Sequence, residues 1–331
     1  MIDPARAASL QAARLRTLTR DRVGPDAVPS AFPGGAALVD GPRGWALLAG
    51  EASTSLGGAL AWARRVGAAR LDVLADAGAA AGLVARRAAF FAPAPGVWSV
   101  DGSTTSPAAP DPATVPLPPP DAPELRMMFA EAGLEVVEED GMTLGEMLGL
   151  EVARIVHGSD GPELAVGVGR FDREITEMTH AHLAPADRVA RVTEIVAGYR
   201  RPEAPPHPLN QMVPERWLRA ALVTDPARVG ASALHPVPSV RGRRNLLETG
   251  IASAVGTDTD GRPLVVTCST GVDLDLVPAA ADDRAAHAPG ARLVLVVPAR
   301  DALALTRDLA ARLADPAEVI GLDGEWRIPW T

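Results

Sequence analysis

Ala291-Arg292-Leu293-Val294-Leu295-Val296-Val297 is a near-continuous apolar run, and Leu305, Leu309 and Leu313 follow it at helical spacing. A strand buried on both faces needs such a run, and leucines every four positions mark one face of a helix. The same order occurs earlier in the chain. Ala69-Arg70-Leu71 matches Ala291-Arg292-Leu293. At that offset Val73 meets Leu295, Leu83 meets Leu305, Ala88-Ala89 meets Ala310-Ala311, Val97 meets Val319, and Asp101-Gly102 meets Asp323-Gly324. No gap is needed between Ala69 and Gly102. Strand, helix, strand and an Asp-Gly turn agree together, which favours duplication over chance matching in an alanine-rich chain. The expected class is α/β, with duplicated modules that are each a mixed sheet flanked by helices.

Each half is preceded by a hairpin signal. Ile251–Thr257 and Leu264–Cys268 flank Asp258-Thr259-Asp260-Gly261-Arg262. Ala36–Val39 and Trp45–Leu48 flank Asp40-Gly41-Pro42-Arg43-Gly44. Asp-Gly suits a tight turn because glycine adopts positive φ at little cost. A third pair, Leu150–Val156 and Leu164–Val168, flanks His157-Gly158-Ser159-Asp160-Gly161. Proline-rich stretches punctuate the chain, since proline fixes φ and donates no hydrogen bond. They divide it into an N-terminal α/β module over 1–102, a linker over 103–123 and a middle hairpin-plus-helix segment over 124–201. A second linker over 202–213 and a C-terminal α/β module over 214–331 complete the expected organisation.

Composition excludes several chemistries. All 32 basic residues are arginine, so Schiff-base lysines, Walker-type phosphate loops and Ser–Lys dyads are absent. A GC-rich coding sequence accounts for the bias. The single cysteine, Cys268, rules out internal disulfides and multi-cysteine metal sites and, on an apolar strand, reads as a small buried hydrophobe. A net charge of −9 argues against a surface coated in nucleic acid, while leaving room for a local basic patch. No apolar run is long enough to span a bilayer, and the first residues lack a secretory pattern, so a cytoplasmic protein is expected.

The C-terminal order is a helix from Asn245–Glu248 onward, a hairpin, a helix over Pro278–Ala286, then strand, helix and strand. It resembles the core of the restriction-endonuclease-like, PD-(D/E)xK nuclease superfamily, in particular certain archaeal and actinobacterial DNA-repair nucleases and Mrr-type restriction enzymes. In that family an Asp on the first hairpin strand and an acid-x-Lys triplet on the second hold Mg²⁺ and a water. In this sequence the acid position falls near Ala252 and the triplet on Thr267-Cys268-Ser269. The middle hairpin keeps Glu151 but has Val166-Gly167-Val168-Gly169 opposite it. The first half offers Glu51 one step late. The resemblance therefore implies the fold of a nuclease whose catalytic positions have been lost.

Three other constellations carry chemistry. Arg241-Gly242-Arg243-Arg244-Asn245, ahead of a helix, would suit a phosphate or other anion; the alternative is a solvated loop. Asp172, Glu174 and Glu177 precede His180-Ala181-His182, and in an extended chain Asp172, His180 and His182 could grip a metal. The plainer reading is a polar lead-in to the helix Pro185–Tyr199. Asp273 and Asp275 cap the next helix or, with Glu248, form a displaced acidic site. The expected function is a non-catalytic endonuclease-like binding module, with a nucleic acid or a protein as partner and no membrane. Its alternatives are a metal-dependent hydrolase or nuclease at the displaced acids and a protein-interaction scaffold docking through the proline-rich strips. No cofactor is expected unless the hydrolase holds, which would take Mg²⁺ or Mn²⁺.

Overall fold

The computed structural model describes residues 4–328 other than 33, 51–53, 114–116, 181, 243–245, 247 and 249. Helix α1 (Pro4–Thr19) precedes three antiparallel-paired strands, β1 (Val28–Phe32), β2 (Gly35–Asp40) and β3 (Arg43–Leu48). Helix α2 (Leu56–Arg65) leads to β4 (Arg70–Asp76), parallel to β3. Helix α3 (Ala79–Ala88) leads to β5 (Gly96–Asp101), parallel to β4, and β6 (Thr104–Pro107) closes a six-stranded mixed sheet in chain order. Leu15 and Leu18 of α1 pack on Leu38, Trp45, Leu47 and Leu74, which alternate along their strands onto one face.

Helix α4 (Pro123–Glu131) introduces the middle sheet, an antiparallel meander of β7 (Glu135–Glu139), β8 (Met142–Met147), β9 (Leu150–Gly158) and β10 (Gly161–Val166). Helices α5 (Gly169–His180), α6 (Pro185–Tyr199) and the single turn α7 (Pro208–Gln211) follow. The third sheet has five strands in chain order. Helix α8 (Pro214–Thr224) precedes β11 (Ala231–Val237), β12 (Ile251–Asp258) and β13 (Pro263–Ser269). Helix α9 (Leu276–His287) then leads to β14 (Arg292–Pro298), parallel to β13, and α10 (Ala304–Ala311) to β15 (Glu318–Leu322).

The α/β class and the repeat are both present. The first sheet reads helix, three strands, helix, strand, helix, strand, and the third sheet reads the same. The pairing registers align residue by residue. Arg43 lies opposite Arg70 in the first parallel pair, and Leu264 lies opposite Arg292 in the second. Ala46 opposite Val73 corresponds to Thr267 opposite Leu295.

By contacts the chain forms two units. One comprises Met1–Ala113, Leu274–Ala285 and Leu303–Glu318; the other comprises Thr114–Asp273, Ala286–Ala302 and Val319–Thr331. The first break falls inside the proline-rich stretch 103–123. In the second unit the middle and third sheets share a core in which Phe129, Val152, Ile155, Val192, Trp217 and Val266 are buried.

Several local details bear on the sequence expectations. Within 103–123, Thr104–Pro107 is extended and pairs with β5 as a sheet strand. The patch 202–213 is packed by Arg200, which donates to the carbonyls of Leu148, Leu209 and Met212 and stacks on Trp217. Burial pushes the Arg200 pKa down to about 9. The helix expected from Asn245–Glu248 onward falls largely outside the described residues; of the two that are described, Leu246 is a turn and Glu248 a bend, and β12 begins at Ile251. The stretch up to His180 is helical rather than extended. Among the described residues no helix is long and apolar enough to cross a membrane.

Candidate functional site

The hairpin β12–β13 places the positions at which the nuclease-like chemistry would sit. Ser253 pairs with Thr267 and Ile251 with Ser269, so Ser253, Thr267 and Ser269 share one face, while Ala252 lies opposite Cys268 on the other. The register thus puts Ser253, and not Ala252, on the face of Thr267 and Ser269. Ser253 and Thr267 are joined hydroxyl to hydroxyl at 2.9 Å, and Ser253, Thr267 and Ser269 are wholly buried. Cys268 is buried on the opposite face, where burial pushes its thiol pKa up and keeps it neutral. The equivalent positions of the first module are Ala37, Ala46 and Leu48, all buried. Neither set of positions offers a carboxylate. In the middle hairpin Glu151 accepts from Arg154 at 2.6 and 2.9 Å and from Arg173 at 2.9 Å, a structural ion triad.

Glu248 and Arg241 line one small cavity of the second unit, of about 20 Å³, with Glu139, Arg216, Arg219 and Ser239. That volume holds about one water. Behind it lies a buried charge network. Glu146 accepts from Arg216 and Arg219, each at 2.5 Å, and Arg216 grips both oxygens of Glu139 at 2.6 Å. Burial opposes the charge of Arg216, and Glu146 and Glu139 outweigh it, so its pKa is raised. Burial raises the pKa of Glu135 and Glu139. The Nε of Arg219 and one carboxylate oxygen of Glu135 are buried without a hydrogen-bond partner among the described residues.

Arg241 donates to Asp273 at 2.5 Å, and only 6% of the Asp273 side chain is exposed, so both charges are committed to each other. Glu248 shares the cavity lining with Arg241, whose charge is taken up by Asp273. Asp275 does not join them: it belongs to the first unit, where it accepts the backbone N–H of Gly57 at 2.7 Å ahead of α9. Arg243 and Arg244 lie outside the described residues. Asp172 accepts the backbone N–H of Val168 at 2.8 Å at the start of α5. His180 closes that helix eight residues later, about 12 Å along its axis. His182 follows in a turn. Among the described residues no three His, Cys, Asp or Glu side chains gather to hold a metal.

Sequence reasoning missed a cleft of about 440 Å³ in the first unit. Arg43, Arg70, Asp72, Phe91, Pro93 and Arg312 contribute to its walls. Asp72 accepts from Arg43 Nε at 2.5 Å and from the Trp98 indole at 2.9 Å. The cleft lies at the amino ends of β4 and β5, away from the carboxyl ends where ligands usually bind open α/β sheets. The available signal was Asp72, an acid inside an apolar strand. Comparison with protein-family models, curated proteins and solved structures gave no match.

Proposed function

We propose that the protein is a non-catalytic binding module built on an endonuclease-like plan. The observation that carries this reading is the β12–β13 hairpin, whose chemistry-bearing face holds Ser253, Thr267 and Ser269 in place of acids and lysine. Three buried hydroxyls cannot bind Mg²⁺ or deprotonate a water as a carboxylate pair would. A displaced hydrolase finds less support. Asp273 is neutralised by Arg241, Asp275 anchors a helix terminus in the other unit, and Glu248 faces a cavity the size of one water.

The partner proposed for the module is a nucleic acid held by the loop Arg241–Arg244. With Arg241 engaged by Asp273, the contact rests on Arg243 and Arg244. Fluorescence anisotropy of labelled single- and double-stranded DNA at two salt concentrations, with and without Mg²⁺, tests both halves. The expected result is binding that weakens with salt, is lost in Arg243→Ala/Arg244→Ala, and leaves the DNA intact after long incubation. Cleavage abolished by Glu248→Ala would overturn the non-catalytic reading. Absence of binding at low salt would remove nucleic acid as the partner and direct the search to proteins.

A further inference from the structure

The arginine-lined cleft of the first unit has features of a receptor. Arg43 is fixed twice: its Nε donates to Asp72, and its guanidinium carbon lies 4.7 Å from the centre of the Trp45 ring. Neither anchor engages its two terminal nitrogens, which have no hydrogen-bond partner among the described residues. Asp72 is itself held by the Trp98 indole. It fits only because residue 96 is glycine, where a Cβ would come within 2.5 Å of its Oδ1. Arg70 stands directly opposite Arg43 in the parallel pair, and like charges in that arrangement repel. Arg70 and Arg312 have no side-chain partner among the described residues. Asp72 is the one acid in the lining, so the cleft is cationic in a chain of net charge −9.

The duplication makes the cluster conspicuous. The positions of Arg43, Asp72, Gly96 and Trp98 are Leu264, Val294, Glu318 and Ile320 in the third sheet. Val294 is wholly buried, so the fold is served there by a plain hydrocarbon. The first module instead keeps a buried carboxylate whose effect is to aim a guanidinium into a cleft.

We infer that this cleft binds a small organic anion, with its carboxylate or phosphate on Arg43, Arg70 and Arg312 and an apolar or aromatic body against Leu60, Leu71 and Phe91. Guanidinium pairs match planar carboxylate and phosphate oxygens. A volume of about 440 Å³ lies in the range of small-molecule pockets, where most of the lining is apolar and a few polar groups orient the ligand.

Isothermal titration calorimetry of the full chain with phenyl phosphate at low salt tests the assignment, with inorganic phosphate and benzyl alcohol as comparison probes. The expected result is a dissociation constant of about 1 mM or tighter for phenyl phosphate. Inorganic phosphate should bind at least about tenfold more weakly and benzyl alcohol not detectably. Arg70→Ala/Arg312→Ala removes two surface side chains and should leave the thermal melt unchanged while weakening phenyl phosphate at least about tenfold. Unchanged binding in that variant would overturn the site. Equal binding of inorganic phosphate would overturn the organic body, and no heat with phenyl phosphate would overturn the inference as a whole.

Discussion

Glu146 sits wholly out of water, and each of its oxygens meets a guanidinium. Removing one partner of a buried pair strands the others, so Glu146→Ala should destabilise the second unit by about 3–5 kcal/mol in urea denaturation. Glu135 makes the complementary case. Arg219 faces it at 3.9 Å, the same carboxylate oxygen has no hydrogen-bond partner among the described residues, and burial raises its pKa. An acid with a raised folded pKa favours the folded state below its unfolded pKa, and loses that contribution as pH rises through the folded value. Glu135→Gln should therefore match the parent protein at low pH and become the more stable of the two as pH rises towards neutrality. Denaturant titrations across that range check the sign, and a constant difference would show that Glu135 does not titrate in this window. None of this network was legible in the sequence. In the sequence, Glu215-Arg216-Trp217-Leu218-Arg219 shows only the opening of a helix with Trp217 and Leu218 on one side. The acids that meet Arg216 and Arg219 lie on strands about seventy residues earlier, and only the tertiary fold brings them together.

Elements with a strong period were legible, because burial repeats along them. The Leu293–Val297 run, the Asp-Gly hairpins and the helix over 185–199 all appear where the pattern puts them. Elements without a period were not. Thr104–Pro107 is a polar strand that completes a sheet edge. Asp275 illustrates the same limit for the candidate site, because its backbone partner Gly57 lies far away in sequence and the acid anchors the start of α2. The sequence pattern around Ser55-Leu56-Gly57-Gly58 does read as a helix start with glycines for close packing. A Cβ on Gly57 would collide with the carbonyl oxygen of Leu274. Gly57→Ala should destabilise the first unit by about 1–3 kcal/mol, the usual scale of overpacking. Thermal unfolding measures it, and an unchanged transition would mean that the α2 terminus shifts without loss.

At the scale of the whole chain the duplication was visible from the matched positions between Ala69 and Gly102. What could not be read was which differences between the copies matter, since that requires the strand registers. Those registers make Leu264 and Val294 the counterparts of Arg43 and Asp72, and so supply a control built into the molecule. If the Arg43–Asp72 pair is retained for a ligand, the fold should not need it. Asp72→Val alone leaves Arg43 beside Arg70 without its hydrogen-bonded carboxylate and strips the Trp98 indole of its acceptor, so it should lower the melting temperature. Arg43→Leu/Asp72→Val removes the cation with the anion and copies the third sheet. Replacing a buried pair by apolar side chains is often neutral or stabilising. Arg43 is 41% exposed, which limits any gain, so the double variant should melt within about 1 kcal/mol of the parent. It should also lose phenyl phosphate binding. A double variant as unstable as the single would make the pair a structural requirement of the first sheet, and the asymmetry between the copies would then reflect packing and not recognition.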